Sequence, residues 1–216
     1  MKHYQNQGNH DDLPSMNRRQ QAKQKTRLKL LEAAHDLFVE RGYESATIRD
    51  IAAGAHLSTG AVFANFSDKA DLFNEVILAD FRRLDELMAA ASGDGPLKAQ
   101  LQRLLTLACD SHLGRPRLVQ SLLSFSWTDH IRADGDGRVN GVKLVLDRLA
   151  GVLRQGVERG ELPRGFDVRL TSEMLWDCHV SNYRRVIFDG WTPEALGQRL
   201  ADQIELLICA RPRKAA

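Results

Sequence analysis

Thr47-Ile48-Arg49-Asp50-Ile51-Ala52-Ala53-Gly54-Ala55-His56-Leu57-Ser58-Thr59-Gly60-Ala61-Val62-Phe63-Ala64-Asn65-Phe66 is the stretch that decides how this chain is read. Thr47 with Asp50 three residues later has the spacing of a capping box, in which a hydroxyl caps one free amide and the acid caps back. Ile48, Ile51 and Ala52 then give a short helix one apolar side. Gly54-Ala55-His56-Leu57 interrupts it, and Ser58 is a good N-cap for a second short helix reaching about Phe66. Two helices of about two turns joined by a turn of three or four residues is the helix-turn-helix plan, in which the second helix enters the major groove of DNA and the first crosses the backbone. The same pattern also suits two short helices that fill a corner of a helical bundle.

Outward from this core the periodicity stays helical. A supporting helix is predicted over about residues 20–41, where Leu30, Leu31, Ala34, Leu37 and Phe38 recur as one buried face. Gly42 follows as a left-handed helix end, against which Tyr43 folds back. Ser67 or Asp68 caps a longer helix to about Ala91, with Leu72, Val76, Leu84 and Met88 inward. Ser92-Gly93-Asp94-Gly95-Pro96 stops it. Further helices are predicted at 97–112, 118–130, 139–159, 168–188 and 193–210, with a Gly/Asp loop at 133–137. No alternating strand pattern or internal repeat interrupts them, so the fold class is all-α. The expected organisation is a flexible tail (1–17), a helix-turn-helix domain (18–70), a connecting helix and linker (71–95), a larger helical domain (96–210) and a basic tail (211–216).

The composition is that of a globular protein, 43% hydrophobic and 27% charged, with a net charge of +2. Charge is unevenly placed. No acid occurs from Leu13 to Leu31, while Arg18, Arg19, Lys23, Lys25, Arg27 and Lys29 do, so the segment reads either as a solvated arm or as a contact for a polyanion. Cys109, Cys178 and Cys209 are distant from one another and lack metal-ligand spacing, which argues against a disulfide framework or structural zinc. There is no Gly-rich phosphate loop, HExxH or nucleophile elbow, so an enzyme is not expected and no cofactor is implied. The polar N-terminus has no signal-peptide h-region and no segment has the length of apolar sequence a spanning helix needs, so no membrane partner is expected and a cytoplasmic location is the default.

From about residue 24 to residue 75 the chain resembles the DNA-binding segment of the TetR family of bacterial regulators. The resemblance rests on the Gly42-Tyr43 helix end, Thr47, Asp50-Ile51-Ala52, Ser58, Gly60, Phe66, Lys69 and Leu72. It implies a regulator of transcription, typically a repressor released by a small-molecule ligand, that binds a palindromic duplex operator as a homodimer. It also implies particular contacts: Thr47 and Lys69 on phosphates, Arg49 on a phosphate or groove edge, Ser58, Thr59 and Gly60 where the recognition helix meets DNA, and Val62 on a thymine methyl. The sequence departs from the family at three points. Phe63 stands where the family usually has Tyr and loses its hydroxyl. Asn65 replaces His or Tyr and has the chemistry to pair with adenine. His56 stands where a turn glycine is usual. A regulator that needs no ligand, or answers to a protein partner, is the alternative.

For the larger part, the resemblance implies dimerisation through the last two long helices, about 167–188 and 193–210. Leu196, Leu200, Ile204 and Leu207 form a stripe that suits either such an interface or packing within the chain. His112, Phe125, Trp127, Trp176, His179 and Tyr183 are the candidates for an effector pocket, combining apolar bulk with polar tips. They serve equally well as an aromatic core with satisfied polar groups.

Overall fold

A computed structural model describes residues 18–127 and 141–209, apart from the side chains of 126 and 127. The tails at 1–17 and 211–216, the loop at 133–137 and the Trp127 side chain therefore lie outside the described residues. The described chain is all-α: α1 (Arg18–Ser45), α2 (Ile48–Gly54), α3 (Thr59–Phe63), α4 (Lys69–Ala91), α5 (Leu97–Leu113), α6 (Pro116–Trp127), α7 (Gly141–Glu158), α8 (Val168–Asp189) and α9 (Pro193–Cys209). No described helix is long and apolar enough to cross a membrane.

Local chemistry sets most of the boundaries. Gly42 breaks α1 with φ 77° and ψ 172°, so the helix proper ends at Arg41 and Tyr43–Ser45 form a separate final turn. Asp68 caps α4 by accepting from the Asp71 amide at 2.7 Å, and Asp167 caps α8 by accepting from Leu170 N at 3.0 Å. Gly190 closes α8 in the left-handed conformation, φ 67°. Helix α6 starts earlier than the expected residue 118 because Pro116 occupies its first turn, where a missing N–H costs nothing.

The buried side chains form one continuous cluster from Leu30 to Ile204. Helix α4 runs through it, packing against α1 and also against α5 and α7. Helix α6 holds the end of α1 directly. The Tyr43 amide donates to Ser121 Oγ at 3.0 Å, Arg117 donates to the Glu40 carbonyl, and the Phe125 and Tyr43 rings meet edge-on at 4.3 Å. A second tie is ionic. Arg115 binds Asp80 at 2.6 Å, and His35 of α1 lies 3.5 Å from the same carboxylate.

Of the two readings of the α9 stripe, the structure favours packing within the chain. Leu196, Leu200 and Ile204 are buried inside the chain, at 3%, 1% and 0% exposure, because α9 packs that face on α5 and α8. The stripe is core. The outer surfaces of α8 and α9 carry other apolar groups, Leu170, Met174, Phe188 and Leu206, all exposed.

Candidate nucleic-acid interface

Both short helices are capped as their sequence dictates, with one change of partner. Thr47 accepts from the Asp50 amide at 3.1 Å. Its hydroxyl then donates to the Asp50 carboxylate at 2.7 Å, so the acid meets the cap hydroxyl rather than the cap amide. Helix α2 ends with Leu57 N–H on Ala52 O (2.9 Å) and His56 N–H on Ala53 O (3.0 Å), the paired bonds of a Schellman turn. The turn requires a left-handed residue at position 56, and His56 adopts φ 55°. A side chain there costs on the order of 1–2 kcal/mol relative to glycine. Ser58 opens α3 by accepting from the Ala61 amide at 3.2 Å.

This framework divides the expected contact residues into outward and inward sets. Thr47, Arg49, Ser58, Thr59, Gly60 and Phe63, all on the helix pair or its caps, are each exposed, and Phe63 presents 59% of its area to solvent. Val62 does not join them. It is fully buried, because its place on the five-residue α3 is the one turned toward the interior, with Phe66 following it inward. The expectation that Val62 touches a thymine methyl is therefore withdrawn. Asn65 is half-buried and folded back on its own helix: Nδ2 donates to Ala61 O at 2.8 Å, and Oδ1 is buried without a partner.

Two basic residues are also bonded within the chain. The Lys69 ammonium donates to the carbonyls of Tyr43 (3.0 Å), Ala46 (3.0 Å) and, more weakly, Glu44 (3.5 Å), and it lies 4.1 Å above the Tyr43 ring. Its ammonium is thus engaged by the end of α1, in place of the phosphate contact expected of it. Arg27 donates to Asn65 O at 2.8 Å, pairs with Glu75 at 3.1 Å and stacks 4.3 Å over the Phe66 ring. Nothing in the spacing of the basic run distinguishes Arg27 from Arg18, Lys23, Lys25 and Lys29, which are exposed.

Of the pocket candidates, four come together. The Trp176 and His179 rings stack at 4.9 Å, His112 lies 5.7 Å from His179 and 5.6 Å from Tyr183, and Tyr183 Oη donates to His112 O at 2.5 Å. Cys109 joins them, with Sγ 3.2 Å from His179 Nδ1. Burial pushes His112 down to about 4, helped by the Arg115 charge, and pushes His179 down to about 3, helped by His112. Burial also drives the Cys109 thiol up to about 12. Every member is uncharged at neutral pH. Phe125 is elsewhere, packed on Tyr43 and Phe73 where α6 meets the end of α1. Beside the cluster lies a cavity of about 20 Å³ lined by Ile77, Phe81, Leu118, Asp80, His112 and Arg115 among others, room for roughly one water. No group of residues suited to a metal ion occurs among the described residues.

An all-α chain with a capped pair of short helices near its start, the second presenting an exposed small-residue face, is of the helix-turn-helix class of DNA-binding proteins. Comparison with known proteins narrows the class. Residues 30–76 match the family model for bacterial regulatory proteins, tetR family. The HTH-type transcriptional repressor AcnR of Corynebacterium glutamicum is 38% identical over 141 residues, which cover 63% of this chain and 69% of that one. A TetR-family regulator structure from Rhodococcus sp. superposes with TM-score 0.72 at 17% identity, covering 86% of this chain and 99% of the other. The regulator FadR of Bacillus subtilis, solved in complex with stearoyl-CoA, superposes with TM-score 0.64 at 20% identity, covering 84% and 97%. The chain belongs to the TetR family and is a DNA-binding transcriptional regulator.

Proposed function

We propose that this protein is a homodimeric transcriptional repressor that binds a palindromic duplex operator and is released by a small-molecule effector. The observation that carries the reading is the exposed set of Thr47, Arg49, Ser58, Thr59, Gly60 and Phe63 on a rigidly capped helix pair. Thr47 and Arg49 reach the phosphates, and Ser58, Thr59 and Gly60 let the helix approach the groove closely. Phe63 offers its ring to base methyls or sugar. Asn65 reads a base only after leaving its present rotamer. The two recognition helices of a dimer must stand about one DNA turn apart or a multiple of it, about 34–36 Å. The exposed Leu170, Met174, Phe188 and Leu206 on α8 and α9 support a four-helix interface between subunits made by their outer faces. A repressor's partner, the chromosome, places it in the cytoplasm, and nothing in this reading calls for enzymatic chemistry.

The effector site is assigned to the cluster of Cys109, His112, Trp176, His179 and Tyr183 and the small cavity beside it. Its support is the meeting of apolar walls with a few polar groups, together with the stearoyl-CoA held by the Bacillus subtilis structure. The ligand acts by favouring a dimer geometry whose half-site spacing no longer fits the operator. A second reading, in which no small molecule is needed and a protein partner controls the regulator, is favoured by the small size of that cavity.

The test is selection of binding sequences from a random duplex pool, followed by titration of the winner against salt. A palindrome and a steep negative slope of log affinity on log salt are expected. Failure of the folded protein to enrich any sequence at low salt would reject the reading. Addition of stearoyl-CoA as a first effector probe then separates the two modes of control. DNA release with a raised melting temperature supports the ligand, and an unchanged melting temperature removes acyl-CoA from the candidates.

A further inference from the structure

Arg27 and Lys69 are half-buried cations of the DNA-binding head whose charged groups are held by backbone carbonyls of the head itself. Both act at an end of the helix-turn-helix pair. The broken end of α1 leaves carbonyls that the helix cannot satisfy itself. Lys69, from the first residue of α4, gathers those of Tyr43 and Ala46 and reaches toward that of Glu44, just ahead of Thr47. Arg27, from α1, holds the Asn65 carbonyl at the exit of α3 and fixes itself to Glu75 of α4 and the Phe66 ring. One clamp therefore sets where α2 begins, and the other sets where α3 ends. The recognition helix between them is only five residues long and has little surface of its own with which to fix its orientation.

We infer that Arg27 and Lys69 are positioning residues that aim the recognition helix, and that neither is a phosphate contact. The inference rests on the proposed DNA-binding role and adds a division of labour to it. A phosphate contact contributes alike to operator and random DNA, and each adds about 0.9 to the salt slope. A positioning residue acts through the register of base contacts, so it governs the preference for the operator over random duplex while leaving the slope alone. The exposed Arg18, Lys23, Lys25, Lys29 and Arg49 then supply the charge that meets the backbone.

The experiment measures affinity for the selected operator and for a random duplex of equal length, each against salt, for the full-length protein and for Arg27→Lys and Lys69→Met. Arg27→Lys keeps the charge but loses the planar fork that spans Asn65 O and Glu75 together. For both variants the operator preference is expected to fall about tenfold or more, the equivalent of a lost base contact. Random-duplex affinity is expected to stay within about twofold and the slope to stay unchanged. Equal loss on both duplexes with a slope reduced by about one would make Lys69 a phosphate contact and overturn the inference. An unchanged preference in folded variants would reduce both residues to structural supports and overturn it too. If circular dichroism shows Lys69→Met unfolded, Lys69→Arg decides. A phosphate contact tolerates arginine with full preference, whereas a site gathering carbonyls around a compact ammonium does not. A wild type with no operator preference would be a failure of the parent reading, visible before any variant is made.

Discussion

Helices α3 and α9 both turn apolar side chains toward the interior of their own chain, one residue in α3 and a row in α9, yet they face the outside in different ways. In α3 the buried residue is Val62 and the outward surface is Thr59, Gly60 and Phe63. In α9 the buried row is Leu196, Leu200 and Ile204, and the outward surface includes Leu206 at 74% exposure. Helix α3 is held at its ends, by the Ser58 cap and the Arg27 bond to Asn65 O, so its outer face is free to carry Thr59, Gly60 and an exposed Phe63 ring. Helix α9 is held along its length by burial against α5 and α8, and its outer face keeps apolar groups that a lone chain does not use. Under the proposed function, the first surface meets DNA and the second meets another subunit.

The sharpest way to break this comparison is to truncate both rows of α9. Leu200→Ala removes a side chain that is 1% exposed and is expected to lower folding stability by about 2–5 kcal/mol. Leu206→Ala is expected to leave the unfolding free energy of the monomer within about 0.5 kcal/mol while weakening dimerisation. Chemical denaturation and sedimentation measure the two effects. A Leu200→Ala protein that stayed folded but became monomeric would return the inner row to the interface.

Acid probes the interior that α9 helps to close. His112 and His179 fold uncharged, with values pushed down to about 4 and about 3. Their unfolded forms titrate near 6.5, so the folded state binds fewer protons than the unfolded one between those limits. Stability is complete above about pH 6.5 and falls as the pH drops toward 4, by roughly 2 kcal/mol per histidine at pH 5. His35 acts with the opposite sign. Its hydrogen bond to Asp80 raises its folded value, so its contribution is present below 6.5 and is lost as the pH rises through that raised value. Melting temperature is expected to fall from pH 7 to pH 5 in the wild type, and to fall less in His179→Gln. Equal slopes would show that His179 is not buried neutral.

A smaller effect tests the caps of the DNA-binding head. Ser58→Ala removes the acceptor for the Ala61 amide and is expected to cost about 1 kcal/mol. Operator affinity should fall with it, because α3 loses the bond that fixes its start. A variant with unchanged stability and affinity would mean that α3 is held from its far end alone.

These regions differed in how much their sequence disclosed. Caps act over three or four residues, so Thr47 and Ser58 were legible from spacing alone and the cap of α4 was narrowed to Ser67 or Asp68, whereas His56 stood out only against the turn glycine of the family. Which face of a helix turns inward depends on neighbours far along the chain. Val62 was therefore assigned to a partner when it belongs to the core, the stripe containing Leu200 was left between an interface and the core, and Phe125 was placed with a pocket from which it is absent. Periodicity showed that a face existed in each case, but not what covered it. The internal bonding of Arg27 and Lys69 was hidden for the same reason, since their partners Asn65 and Tyr43 are 38 and 26 residues away. The grouping of His112, Trp176, His179 and Tyr183 was only half legible. Three of them share a face of α8, and His112 arrives from α5.

Asn65 offers the finest test, because its two possible roles predict different signs. In the folded protein its Nδ2 bond to Ala61 O is worth on the order of 1 kcal/mol, while the buried unpaired Oδ1 costs about 1–3 kcal/mol. Alanine removes both. Asn65→Ala is therefore expected to leave the melting temperature unchanged or raised, by the equivalent of about 1 kcal/mol at most. The unpaired oxygen leaves Asn65 with an acceptor that a base outside the chain can satisfy. Rotation into the groove would pair that oxygen and the amide with an adenine edge. The same variant is then expected to relax the operator preference at one base pair in each half-site, with the remaining positions unaffected. Loss of stability would show that the side chain is satisfied where it lies. Unchanged stability with unchanged base preference would confine base reading to the residues on the exposed face of α3.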